Sequence, residues 1–213
     1  LAALLFLYKQ VLGIALPWLD DITRAKKSQR LPVVLSQAEV AALLRHTSGQ
    51  TGLIIRLLYG TGMRLMETLR LRVKDIDFAS HIILVRSGKG DKDRVVPLPA
   101  TLIQPLRDQL AARLKMHHID LAKGMVDVDL PYALARKYPN APREWAWQYV
   151  FAAADYSTDP RSGAQRRHHV HEKSIQRAVR QAVQLAGIDK PASPHTLRPS
   201  FATHMLEHGA EPL

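Results

Sequence analysis

The 213-residue chain contains no cysteine. That excludes disulfides, thiolate metal sites and a cysteine nucleophile, and it is compatible with a reducing cytosol. Acidic residues are in deficit: 19 Asp and Glu face 30 Lys and Arg, for a formal net charge of +11. Such an excess suits a polyanionic partner. No single cationic amphipathic segment concentrates it, so nucleic acid fits better than a membrane surface. No apolar run approaches the ~20 residues of a membrane span. Leu1 to Leu7 is apolar, but it lacks a basic region before it and a cleavage site after it, and is not read as a signal peptide. Internal repeats and low-complexity segments are absent. What is present is a chain with 46% hydrophobic residues, globular and long enough to bury a sizeable core.

Residues 1–16 read as a strongly apolar helix (Leu4, Leu5, Leu7, Tyr8, Val11, Leu12) ended by Pro17. So short a helix needs a partner, and it reads as the last helix of an N-terminal domain. Arg24, Lys26, Lys27 and Arg30 make residues 20–31 a basic linker. Both ends of the sequence are read as cut. Ser36 with Glu39 forms a capping box that opens a helix to about His46. A second helix spans about Gly52 to Tyr59, broken by Gly60-Thr61-Gly62, and a third runs from about Arg64 to Leu71. The period then changes. A short strand near Ile76 precedes a hairpin of Ile82–Val85 and Arg94–Val96 with a Gly-rich, charged tip. Helix returns from about Leu102 to His117, and His117 and His118 are read as solvated. Residues 130–138 suggest a short helix, and Trp145, Trp147 and Tyr149 alternate as in a strand. The helix from His171 to Ala186 ends at Gly187, its expected C′ residue. In the last helix Ser193 is an N-cap, Pro194 suits the first position, and Leu197, Phe201 and Met205 form one apolar stripe. The expected fold is mainly α with a small antiparallel β-sheet (α+β).

Three basic motifs stand apart in sequence. Arg64 follows a Gly-Thr-Gly-Met turn, with Glu67 one turn on. Lys89 sits at the hairpin tip. His195 and Arg198 share one face of the last helix. Two arginines on one phosphodiester would stabilise a pentacoordinate transition state through bidentate hydrogen bonds. A lysine near arginines has a lowered pKa and can give a proton to a leaving hydroxyl. Histidine can move a proton or hold a non-bridging oxygen. Glu67 cannot bind phosphate and is better placed to orient an arginine. Outside these motifs, Arg166, Arg167, His168 and His169 form a basic run. His168, His169 and His171 have no carboxylate at metal-binding spacing beside them and are read as surface or DNA-facing. Trp145, Trp147 and Tyr149 fit core packing and base stacking equally well.

Gly60-Thr61-Gly62-Met63-Arg64-Leu65-Met66-Glu67, then Gly88-Lys89-Gly90 with Lys92, Arg94 and Pro97-Leu98-Pro99, then His195-Thr196-Leu197-Arg198 with Ser200-Phe201-Ala202-Thr203-His204 resemble the tyrosine recombinases, the phage-integrase family. A narrower likeness lies in Ala133–Ala141, Glu144–Phe151, Asp159–Gly163 and Arg166–His169, which resemble the extra segment of integron integrases. Leu16-Pro17-Trp18-Leu19-Asp20 also fits that subgroup.

The resemblance implies that residues 1–19 end an N-terminal helical core-binding (SAM-like) domain. Residues 32–213 would be an incomplete catalytic domain of the DNA breaking-rejoining fold, with an integron-type insert at about 118–150. It implies integration of gene cassettes by site-specific DNA recombination, in the bacterial cytoplasm at the nucleoid. Arg64 and Arg198 would clamp the scissile phosphate, Lys89 would be the general acid and His195 would assist. Lys92, Arg94, Trp145, Trp147, Arg166, Arg167, His168 and His169 would face DNA, including folded single-stranded sites with extrahelical bases. No metal or cofactor is implied, because a 3′-phosphotyrosine link conserves the bond energy. The full-length protein would act as a homo-oligomeric, tetrameric synapse away from membranes. The family's nucleophilic Tyr and a second His or Trp are expected after the last helix, and none of Tyr59, Tyr132, Tyr138, Tyr149 or Tyr156 stands in that place. The sequence as given therefore also fits a DNA-binding fragment or remnant without catalysis. Pro199 stands where the family usually has His. Within a helix it is expected to strain Arg198, unless the helix begins later.

Overall fold

The computed structural model describes residues 2–14, 31–86, 92–130, 134–159 and 163–209. It divides into two compact units, Leu1–Leu31 and Pro32–Leu213. In the first, α1 (Ala2–Phe6) runs into a π-helical turn, Leu7–Val11, and Gly13 follows at φ +63°. The helix thus stops short of Pro17. Leu4, Phe6, Leu7 and Val11 are exposed. The basic linker from 20 to 30, and Trp18, lie outside the described residues.

The second unit is built around α3 (Gly49–Thr61). Leu53, Ile54, Ile55, Leu57 and Leu58 are all buried, so this helix is apolar on nearly every side. That is the signature of a central helix. Full burial of each such side chain contributes about 1.5–3 kcal/mol. Before it lies α2 (Gln37–Arg45), opened by the Ser36–Glu39 capping box. After it comes α4 (Leu65–Leu69). A three-stranded antiparallel sheet follows, β1 (Ile76–Asp77), β2 (Ile82–Val85) and β3 (Arg94–Pro97), in that order. Ile83 and Val96 are register partners and both are buried, so one face of the hairpin joins the core. The hairpin tip, with Lys89, lies outside the described residues.

Next come α5 (Ala100–Ala122), α6 (Leu134–Lys137), and a two-stranded ribbon of β4 (Ser157–Thr158) and β5 (Gln165–Arg166). The chain closes with α7 (Glu172–Leu185) and α8 (Leu197–Glu207). α3 packs against α4, α5, α7 and α8. A second, smaller core gathers Val128, Leu130, Ala141 and Tyr149, with Leu134 and Trp147 against it.

Several expectations change. α5 runs past His117 to Ala122, because residues 118–122 keep helical hydrogen bonding up to the Lys123 cap. His117 is buried rather than solvated, its ring 5.6 Å from Trp145. Trp145–Trp147 is a 3₁₀ turn, not a strand. Tyr149 still makes an isolated bridge with Arg72. Pro199 is accommodated. Ser193 opens a 3₁₀ turn, Pro194–Thr196, and α8 begins only at Leu197. Pro199 therefore occupies the first turn of α8, where a backbone N–H has no partner within the α-helix. The apolar stripe is graded: Leu197 is fully buried, Phe201 half-buried and Met205 exposed.

Candidate active site

The site forms where three chain segments meet at the end of α3. Gly62 caps α3 in the left-handed region, at φ +62°. A Cβ there would lie 2.7 Å from the Phe201 ring, so only glycine lets α8 approach this closely. The same residue's carbonyl accepts a 2.8 Å hydrogen bond from Arg198 Nη1. One glycine thus ends the central helix, seats α8 and anchors its arginine.

Two residues on, Arg64 precedes α4 with an extended backbone, φ −77° and ψ 153°. Its N–H donates to Glu67 Oε2 at 2.8 Å, and its Nη1 donates to Glu67 Oε1 at 2.9 Å. Arg94, the first residue of β3, completes the set. Its Nη1 reaches Glu67 Oε1 at 2.9 Å and its Nη2 reaches Oε2 at 2.6 Å. The Glu67 side chain is only 8% exposed. Burial opposes its ionisation, but hydrogen bonds from Arg94 and Arg64 win and lower its pKa to about 2. It is a carboxylate at any physiological pH.

Arg198 is close enough to feel the other guanidinium groups. Burial first, then Arg64 and Arg94, push its pKa below the ordinary arginine value, against Glu67. The cluster therefore holds three guanidinium groups and one carboxylate. Like charges so placed are costly unless an anion joins them. His195 stands exposed in the 3₁₀ turn before α8, three residues from Arg198. α8 itself is tied down behind the site. Ser200 Oγ accepts from Leu35 N–H at 2.9 Å and donates to the Thr196 carbonyl at 2.8 Å. Tyr59 Oη and His204 Nδ1 lie 2.8 Å apart.

The structure brings together Arg64, Glu67, Arg94 and Arg198. Lys92 is exposed beside the hairpin tip. The predicted DNA-facing residues separate into two groups. Arg167 is buried, and it donates through Nε and Nη2 to the buried Asp120 at 2.7 and 2.8 Å. His169 is buried too, and burial first of all lowers its pKa to about 4. Both are mostly buried, though Arg167 keeps one face on a cavity of about 290 Å³ beside β4 and β5. Arg166 and His168 line that cavity too, with Asp129, Ser157, Thr158 and Asp159. Arg166 pairs there with Asp159 at 3.4 Å and Asp129 at 3.7 Å. Trp145 and Trp147 are half-buried. Trp147 lies 3.9 Å beneath Lys74 Nζ and gives its carbonyl to Arg72 Nη1 at 2.6 Å.

Two functional arrangements had no clear sign in the sequence. Arg94 was expected on DNA, but its fork is spent on Glu67. Arg72 was unmarked, yet it is buried and binds Trp147, the Asp129 carbonyl and Tyr149 Oη, partners 57 to 77 positions away. Nothing local announces contacts of that separation.

Residues 33–212 match the phage integrase family. Over 209 residues the chain is 53% identical to an integrase/recombinase of Escherichia coli, covering 98% of this chain and 62% of that protein. It is 32% identical over 195 residues to the tyrosine recombinase XerA of Thermococcus onnurineus, covering 90% of this chain and 55% of that one. Among solved structures it is similar to a XerA recombinase, with a TM-score of 0.57 and 29% identity over 99% of this chain and 61% of the other. The chain thus spans less than two thirds of the length of these relatives.

Proposed function

The chain belongs to the phage integrase family, and we propose that the protein containing it is a site-specific tyrosine recombinase that cuts and rejoins DNA. The observation that carries this is the cluster in which Arg64 and Arg94 share the Glu67 carboxylate while Arg198 is anchored on the Gly62 carbonyl two residues before Arg64. Arg64 and Arg198 would grip the scissile phosphate. Each has donors beyond those used on Glu67 and Gly62. They would neutralise the charge that builds on the non-bridging oxygens as phosphorus becomes five-coordinate. A tyrosine Oη would attack phosphorus as its phenolic proton passes to the His195 imidazole. The P–O5′ bond breaks, the 5′ oxygen takes a proton from Lys89, and a 3′-phosphotyrosine forms. The reverse reaction with another strand's 5′ hydroxyl completes recombination. His195 would serve the same phosphate from the turn before α8.

Within the family, the integron integrases are the subgroup we favour, with gene cassettes as cargo in a bacterial cytoplasm and a tetramer as the working assembly. Support comes from the separate small core at residues 128–149 and the adjoining cavity with Arg166 and His168. The cavity sets the His168 ring and two arginines beside Asp129 and Asp159, which offers stacking and hydrogen-bonding groups to an unpaired base.

The test uses the complete protein and a nicked DNA site that traps cleavage products. A covalent protein–DNA band on a denaturing gel is expected. Tight binding without such a band would favour a DNA-binding role alone. For the subgroup, a folded single-stranded site with extrahelical bases should compete better than its fully paired duplex. Equal competition would argue against it.

A further inference from the structure

Arg94 stands at the base of the β2–β3 hairpin, yet its guanidinium points away from the strand into α4. Both terminal nitrogens meet Glu67, one on each oxygen, at 2.9 and 2.6 Å. Arg64 supplies the other two donors, one from its backbone and one from its side chain. A carboxylate offers about four lone-pair sites, and here all four are taken. Planar fork-to-fork pairing fixes the carboxylate in rotation as well as position. We propose that Arg94 is a positioning residue: by clamping Glu67 in one orientation it fixes the guanidinium of Arg64, without itself touching the DNA phosphate.

Without Arg94, Glu67 keeps only Arg64. Its carboxylate is then free to turn and draw Arg64 fully into a bidentate pair, away from substrate. Lysine cannot replace the fork, because an ammonium offers a point charge without planar geometry. The pair also spans elements. Arg94 belongs to β3 and Glu67 to α4, so sheet and helix are joined behind the arginine that faces substrate.

This inference rests on the site being one for a DNA phosphate, and its test keeps the two apart. The affinity of the 213-residue chain for a duplex carrying its recombination site is measured for the parent, Arg64→Ala, Arg94→Met and the double variant, with salt dependence. Arg94→Met should weaken binding about as much as Arg64→Ala. The double variant should be no weaker than Arg64→Ala alone, since Arg94 acts only through Arg64. Arg94→Met should leave no loss of salt slope beyond that of Arg64→Ala. Losses that multiply, with a further drop in slope of about 0.9, would make Arg94 a phosphate ligand and overturn the proposal. Arg94→Lys carries the same cycle if Arg94→Met does not fold. It should behave like Arg94→Met, and near-parental binding by Arg94→Lys would overturn the proposal too. Failure of the parent chain to bind DNA at all would instead remove the phosphate site, and the inference with it.

Discussion

At the scale of single residues, Gly62 holds the most. Its left-handed backbone costs a residue with a Cβ roughly 1–2 kcal/mol, and the Phe201 ring occupies the place where that Cβ would go. Gly62→Ala is therefore expected to lower stability by about 2–4 kcal/mol and to shift Arg198 away from the site. Denaturant unfolding and DNA affinity measured side by side check both effects. His169 makes a different prediction. Buried, with its pKa lowered to about 4, it binds protons more weakly folded than unfolded, where its pKa is roughly 6.5. Its contribution is complete above roughly pH 6.5 and is lost as pH falls toward about 4. The melting temperature should fall across that window, and His169→Asn should flatten the fall. An unchanged slope would show that other groups dominate. Gly62, Arg64 and Arg198 were legible as motif residues because each sits in a short sequence pattern. His169 was not, since a basic run looks like surface until its neighbours are known.

Among the elements, α5 and the segment after β5 are joined by a buried ion pair. Asp120 and Arg167 are 1% and 7% exposed in their side chains. Tyr156 Oη donates to Asp120 as well, at 2.6 Å. Without Arg167, Asp120 keeps Tyr156 and the buried Arg113, 3.7 Å away, so Arg167→Met loses charge-assisted hydrogen bonds and should cost about 1.5–3 kcal/mol. The salt dependence of DNA binding by the folded variant should not change, and a decreased slope would return Arg167 to the DNA surface. The last helix carries the opposite expectation. Pro199 sits in the first turn of α8, so Pro199→Ala recovers no helical hydrogen bond and should change stability by less than about 1 kcal/mol. A larger gain would mean that proline strains the turn. Helices, caps and the hairpin were readable from period and capping chemistry, as at Ser36 and Glu39. The 3₁₀ start of α8 and the turn at Trp145–Trp147 were not. Both are set by contacts with distant segments: Ser200 with Leu35, and Arg72 with Trp147.

For the molecule as a whole, the net charge of +11 suits a polyanion, and in the proposed reaction the arginine cluster would be the focus of its attraction to DNA. The mainly helical frame has one task at the site. It sets α3, α4, β3 and α8 so that residues from three separate stretches share one carboxylate and one carbonyl. The members of that cluster could be named from motifs, but the shared acceptor could not, because pairing Arg94 with Glu67 depends on how the sheet lies against α4. In the proposed reaction Arg64 and Arg198 act on the phosphate in the bond-breaking step. The most direct test is the single-turnover rate of covalent adduct formation by the complete protein on a nicked site, with saturating DNA. Arg64→Lys and Arg198→Lys should each slow that rate by about 100-fold or more, the loss of a fixed transition-state donor, while still binding DNA. Adduct formation at the parental rate by either variant would exclude that arginine from the bond-breaking step.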